Sequence, residues 1–110
     1  MGPGNIIGPQ CYVGTNVRIG RLNVLNAFCS LGHHSTIGDN NFFSPCVHTG
    51  NSLRIGDNNL FGIGTSMMHE LQIGCNNRVQ AGTAILEEIG DGQLVMMSSR
   101  VKQVGLYGKA

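Results

Sequence analysis

The chain contains no tryptophan, and only 5% of its residues are aromatic, so it lacks the large rings that anchor most compact cores. Charge is nearly as scarce. Only 12% of residues are charged and the formal net charge is +1, which removes the electrostatic case for nucleic acid or an anionic membrane as partner. No apolar run approaches the roughly 18 residues that a membrane span needs. The N-terminal MGPGNIIGPQ has neither the basic start nor the apolar centre of a secretory signal, and this points to the cytoplasm. Cys11, Cys29, Cys46 and Cys75 include no C-x-x-C pair, against a structural zinc site, and a disulfide framework belongs to secreted chains. Disorder is excluded from the other side, because 41% of the chain is hydrophobic and disordered segments combine low hydrophobicity with high charge. What remains is one domain's length of aliphatics and small residues, a composition for a chain that turns often and stacks.

The stacking has a period. Ile-Gly recurs at Ile19, Ile37, Ile55 and Ile73, always 18 residues apart. A shorter step of six runs through Ile7, Val13, Ile19, Leu25, Leu31, Ile37, Phe43, Thr49, Ile55, Phe61, Met67, Ile73, Val79 and Ile85, all large and apolar except Thr49. Six matches neither the 3.6 of a helix nor the 2.0 of a strand; it suits a short strand plus a corner. Three such units make a triangular coil, and coils stack as parallel strands about 4.8 Å apart. The expected fold is therefore an all-β, left-handed parallel β-helix of about five to six coils, with a single domain over residues 1–110. The aliphatic points inward, and the Gly that often follows it is expected to serve the corner through its backbone freedom. The position four after the aliphatic also points inward and is expected to be small. It holds Asn23, Asn41, Asn59 and Asn77 in one column, a predicted ladder of stacked amides. Cys11, Cys29, Val47, Thr65 and Thr83 form another column, read as small core residues. The register runs unbroken over 7–85. Ile89-Gly90 then arrives four residues after Ile85, with Val95 and Val101 at the old spacing, so an offset last coil is expected around Glu87-Glu88. The tail VKQVGLYGKA and the initial Gly2-Pro3-Gly4 are expected to cap the two open sheet edges.

The stretch NAFCSLGHHSTIGDNNFFSPCVHTGNSLRIGDNNLFGIGTSMMHELQIGCNNRVQAGTAI resembles the C-terminal domain of bacterial sugar and sialic-acid O- and N-acetyltransferases. The group includes enzymes that acetylate UDP-linked amino sugars. Gly-His-His-Ser-Thr-Ile-Gly-Asp at 32–39, followed by Ser44-Pro45 and Gly50-Asn51, looks like that family's His-acidic pair ahead of an Ile-Gly-Asp/Glu coil. Two residues depart from the pattern. His34 stands where the family has an acid, and Ser44-Pro45-Cys46 where it often has Ser-Pro-Gly. These enzymes also usually carry an N-terminal Rossmann-like domain for the nucleotide sugar; the present sequence is expected to have no such module, which leaves the acceptor open.

The resemblance implies acetyl-CoA as co-substrate, a homotrimer, a small-molecule acceptor and His33 as the general base. Acyl transfer needs a base for the acceptor proton and donors for the developing oxyanion, and neutral imidazole suits the first role. His33, two residues after inward Leu31, should point outward, in one column with Asn51 and His69. His34 could position His33 but offers no negative charge to an imidazolium. Acetyl-CoA is expected along a groove past Asn51, Gly62, Gly64 and His69, bound by backbone amides of the turns. Arg100, Lys102 and Lys109 could meet its phosphates near the C-terminal end. His48 reads as a corner residue with a local structural role, Met67 and Met96 as core filling, and His69-Glu70 as a substitute catalytic pair. Outward Phe28, Phe42 and Leu60 are expected to pack between subunits. Two other readings stand beside this one. The chain could be a non-catalytic β-helix trimer that binds or scaffolds. It could also resemble a γ-class carbonic anhydrase, with His33 and His69 as zinc ligands, although Gly74 occupies the place where a third His is needed.

Overall fold

The structure, a computed structural model, describes residues 1–97 and 103–107. Every strand is two residues long and ends on an inward aliphatic position, so the period of six is the period of the fold. Numbered along the chain, the strands fall into three parallel sheets. The first stacks β1 (Ile6–Ile7), β4 (Val24–Leu25), β7 (Phe42–Phe43), β10 (Leu60–Phe61), β13 (Arg78–Val79) and β15 (Leu94–Val95). The second stacks β2 (Tyr12–Val13), β5 (Ser30–Leu31), β8 (His48–Thr49), β11 (Ser66–Met67) and β14 (Ala84–Ile85). The third stacks β3 (Arg18–Ile19), β6 (Thr36–Ile37), β9 (Arg54–Ile55) and β12 (Gln72–Ile73). This is an all-β parallel β-helix of triangular section. Among the described residues no helix is long and apolar enough to cross a membrane.

One apolar column fills the prism. Leu25, Leu31, Phe43, Val47, Leu53 and Phe61 are fully enclosed, and the Phe43 and Phe61 rings lie 4.9 Å apart in successive coils. Leu53 and Leu71 occupy the inward position expected to be small, so the corner they share with Ser35 packs larger aliphatics than the other two. Burial, its main cause, raises the Cys29 thiol above its ordinary value, which suits a packed side chain better than a reactive one.

The Asn column does more than stack amides. Asn41 Oδ1 accepts the Asn59 N–H at 2.9 Å, and Asn59 Nδ2 donates to the Gly74 carbonyl at 2.9 Å. Asn41 Nδ2 donates likewise to Gly56, and Asn77 Nδ2 to Gly90. Asn5 and Gln93 extend the column at its two ends. Each amide thus satisfies a corner carbonyl and a corner N–H that bend out of the sheet pairing.

One correction concerns the corners. The glycine after each aliphatic does not supply backbone freedom. A Cβ on Gly32 would collide with the Gly50 carbonyl, and one on Gly50 would lie 2.8 Å from the His69 nitrogen, so these glycines let coils approach. The left-handed conformation falls two residues later, at the third turn position, and mostly on other residue types: Leu22 (φ 59), Phe28 (φ 64), His34 (φ 60), Cys46 (φ 62) and Glu70 (φ 59). Such a conformation costs a residue with a Cβ about 1–2 kcal/mol. The last coil is shortened. Ile73 bridges Ile89 and Val79 pairs with Val95, each 16 residues on rather than 18, which places the lost residues between Ile85 and Ile89. Val101, Arg100, Lys102 and Lys109 lie outside the described residues.

Replacing Asn59 by Ala strands the Gly74 carbonyl and the Asn77 N–H inside the prism. The expected loss is on the order of 2–4 kcal/mol, read from denaturant unfolding at fixed protein concentration. Parental stability in Asn59→Ala would show that the ladder is not what holds the coils.

Candidate active site

The corner between the second and third sheets carries turns 14–17, 32–35, 50–53 and 68–71. In the second of these, Gly32 allows the close approach and His33 takes the outward second position. His34 takes the left-handed third, and Ser35 turns inward, its Oγ accepting the Leu53 N–H at 3.1 Å. The change of backbone hand between the two histidines lets adjacent side chains converge. Their rings meet edge to face with centroids 5.1 Å apart, and the two Nδ1 atoms are 2.9 Å apart. His34 Nε2 lies 3.2 Å from Asn16 Nδ2, one coil above. Asn16 is a member of this constellation that sequence reasoning missed. Its signal was available, since it stands 18 residues before His34 and so in the same turn position.

This Asn16–His34–His33 chain has two proton arrangements, because each imidazole can donate from either nitrogen and the amide can present either end. With Asn16 donating, His34 Nδ1–H donates to His33 Nδ1 and the proton of His33 stays on Nε2. With the amide reversed, His34 Nε2–H donates to Asn16 Oδ1 and His33 Nδ1–H donates to His34. His33 Nε2 is then a free acceptor. Both histidines are exposed, and His34 borders a depression of about 500 Å³ lined by Asn16, Val17, Arg18 and Thr36.

Below His33 the turns stack as expected: Ser52 N–H donates to the His33 carbonyl and Glu70 N–H to that of Asn51, both at 2.9 Å. His69 is committed elsewhere. Its Nδ1 accepts the Asn51 N–H at 3.0 Å. On the next corner Asp39, Asp57 and Asp91 do the same for the N–H groups of Arg21, Asp39 and Cys75. His69 therefore holds the turn, and its ring proton sits on Nε2. Among the described residues no side-chain bond joins it to Glu70.

Gly62 and Gly64 are on a different corner, between the first and second sheets. Their N–H groups donate to Val79 and Pro45 carbonyls at 2.8 and 3.1 Å, so neither amide is free to bind a ligand as expected. What Gly64 offers is open space, with nothing within 4 Å of where its Cβ would be. A ligand that touches Asn51, Gly64 and His69 must cross the outer face of the second sheet. That face presents Ser30, His48 and Ser66. His48 is thus not a corner residue but an outward strand residue, and its Nδ1 lies 2.7 Å from Ser30 Oγ. The alternation of the strand, with Thr49 inward, already carried that information. Met67 is buried, but Met96 is exposed, and with Met97 it borders an end pocket of about 420 Å³. No group of three His, Cys, Asp or Glu suited to a metal forms among the described residues.

No protein-family model matches the chain, and no curated protein matches it. Solved structures share its fold. A mutant of perosamine N-acetyltransferase from Caulobacter crescentus, in complex with CoA and GDP-perosamine, aligns at 17% identity and a TM-score of 0.69, over 92% of this chain and 54% of that one. The acetyltransferase domain of PglB from Neisseria gonorrhoeae, in complex with acetyl coenzyme A, aligns at 22% and 0.73, over 83% and 49%. WeeI from Acinetobacter baumannii aligns at 21% and 0.70, over 84% and 52%. The chain spans about half the length of each.

His69→Asp keeps an acceptor for the Asn51 N–H and should hold stability within about 0.5 kcal/mol. His69→Ala should lose about 1 kcal/mol. Denaturant midpoints of the two variants check the assignment.

Proposed function

We propose that the chain is an acetyl-CoA-dependent acyltransferase that acts on a hydroxyl or amine of a small, sugar-like acceptor, as a homotrimer in the reducing cytoplasm. The observation that carries the reading is the Asn16–His34–His33 hydrogen-bonded chain on an outward corner. The fold it sits on is shared with acetyltransferases solved with CoA or acetyl coenzyme A. Acetyl-CoA supplies the activated acetyl group. His33 Nε2 takes the acceptor proton as the acceptor attacks the thioester carbonyl, the carbon–sulfur bond breaks, and the imidazolium returns the proton to the departing CoA thiolate, while His33 Nδ1–H donates to His34 Nδ1. His34 passes orientation on from Asn16. The pair holds the base without a carboxylate, so the protonated ring is stabilised by a neutral acceptor rather than by charge.

Assembly supplies the walls of the groove. Ile6, Phe42 and Leu60 project from the first sheet, and Phe28 and Ile63 from the corner beside it, all at least 40% exposed. Covering them is the service a second copy performs, and cyclic closure ends growth. Acetyl-CoA is placed across the second sheet's outer face, past Asn51, Gly62, Gly64 and His69, with Gly64 contributing room. Four free thiols suit a reducing compartment.

His33→Ala should leave assembly and CoA binding intact while turnover falls on the order of 10²–10⁴-fold. His34→Ala should cost less, and His34→Asp should hold or raise activity. Full turnover in His33→Ala would move the base elsewhere. Light scattering should return a trimer mass at micromolar concentration. CoA should raise the melting temperature, as any ligand selective for the folded state must. No shift at millimolar CoA would leave a non-catalytic β-helix as the reading.

A further inference from the structure

Thr49 is the one polar residue in the inward column of six-residue steps, and the structure departs from its own rule at the same place. Each first-turn residue with a described coil beneath it donates its N–H to the carbonyl of the inward residue below. Gly14 donates to Leu31, Gly50 to Met67, Gly20 to Ile37 and Gly62 to Val79. Gly32 alone does not. Its N–H donates to Thr49 Oγ1 at 3.0 Å. The pairing of β5 with β8 is correspondingly reduced to Ser30 with His48, without the Leu31–Thr49 partnership that the regular ladder would have. Thr49 is also only half-buried, whereas the inward residues from Ile19 to Ile85 around it are buried.

The irregularity lies one peptide from His33. β8 therefore grips the segment that carries the proposed base through side chains at both ends, His48 on the Ser30 hydroxyl and Thr49 on the Gly32 amide. A Val at 49 has the same shape, would fill the apolar column, and would return the Gly32 N–H to the carbonyl it meets elsewhere. Local regularity thus favours Val. Places where a chain gives up such regularity are where function is found to compete with stability.

We infer that Thr49 is a positioning residue for His33: its hydroxyl sets how the Gly32–His33 peptide leaves β5, and so where the His33 ring stands against His34. The inference rests on the reading of His33 as the base, and its test separates the two. Thr49→Val should fold and assemble with an equal or higher melting temperature. Its ¹⁵N ring shifts at His33 should move while those at His69 stay, since His69 is held by the Asn51 N–H. In turnover, kcat should fall on the order of 10–100-fold with KM for acetyl-CoA unchanged, the scale of loss for a small misplacement of a reacting group. Thr49→Ser, which keeps the hydroxyl, should restore both readouts. Unmoved His33 shifts in Thr49→Val overturn the positioning claim whatever the activity does. Moved shifts with full turnover overturn the catalytic consequence. If His33→Ala is itself fully active, the base assignment falls, and the ring shifts measured without substrate still decide whether Thr49 positions His33.

Discussion

A coil that closes in 18 residues must turn three corners, and at each corner main-chain groups bend out of the sheets. Leaving such a group buried and unbonded costs about 1–3 kcal/mol. On one corner Asn23, Asn41, Asn59 and Asn77 answer this demand coil after coil, with bonds of 2.8–2.9 Å to the Gly carbonyls. The corner between the first and second sheets is answered more weakly, by thiols and hydroxyls: Cys11 to Asn26, Cys29 to Ser44, and Thr65 to Gly62. The third corner has Val17, Ser35, Leu53 and Leu71 at the same position, and none of them donates to a corner carbonyl. The spine on one edge sets the coil spacing, and the edge with the fewest such bonds is the one that carries His33 and His34. That corner is tied instead by Ser35 Oγ, Thr49 Oγ1 and His69 Nδ1, each of which accepts a main-chain N–H.

The same geometry explains why strain is no guide to function in this chain. A positive φ on a histidine is ordinarily reason to suspect a functional site. Here the third residue of almost every turn adopts it, with φ between 56 and 64 at every non-glycine position, so His34 shares a property of the fold. What is particular to His34 is its pair of bonds. A carboxylate at that position could only accept, and would fix the proton on the His33 nitrogen facing it. An imidazole can accept or donate, and Asn16 at its far nitrogen can match either state. An imidazole at position 34 is therefore a neutral, reversible partner for His33, where a carboxylate would be a charged, one-directional one.

The departures that matter for the site are small and lie where the repeat is imperfect. Thr49 substitutes a hydroxyl for a methyl group in the core column, and the ladder gives way beside His33. Cys75 shares a corner column with Asp39, Asp57 and Asp91, and its sulfur accepts the Asp57 N–H at 3.2 Å, so the structural row tolerates a weak acceptor. His69 belongs to a similar row on its own corner. Two histidines two coils apart thus look alike in sequence, yet one has its Nδ1 occupied by the backbone and the other by a second imidazole.

The sequence alone determined the parallel β-helix, the inward column, the Asn ladder, the outward place of His33 and the shift of register after Ile85. All of these follow from spacing, and a period of six with a fixed step of 18 admits one kind of stacked coil. Spacing could also have placed His48 on a strand and Asn16 beside His34, since both follow from the same register. Only the tertiary structure decided the rest. It showed that the glycines serve close approach rather than backbone freedom, because that depends on the distance to the next coil. It used the amides of Gly62 and Gly64 inside the stack. It committed His69 to the Asn51 N–H, and it moved the Gly32 N–H from a carbonyl to the Thr49 hydroxyl. Each of these depends on distances and bonding partners within the stack, which periodicity cannot rank and three-dimensional contact can.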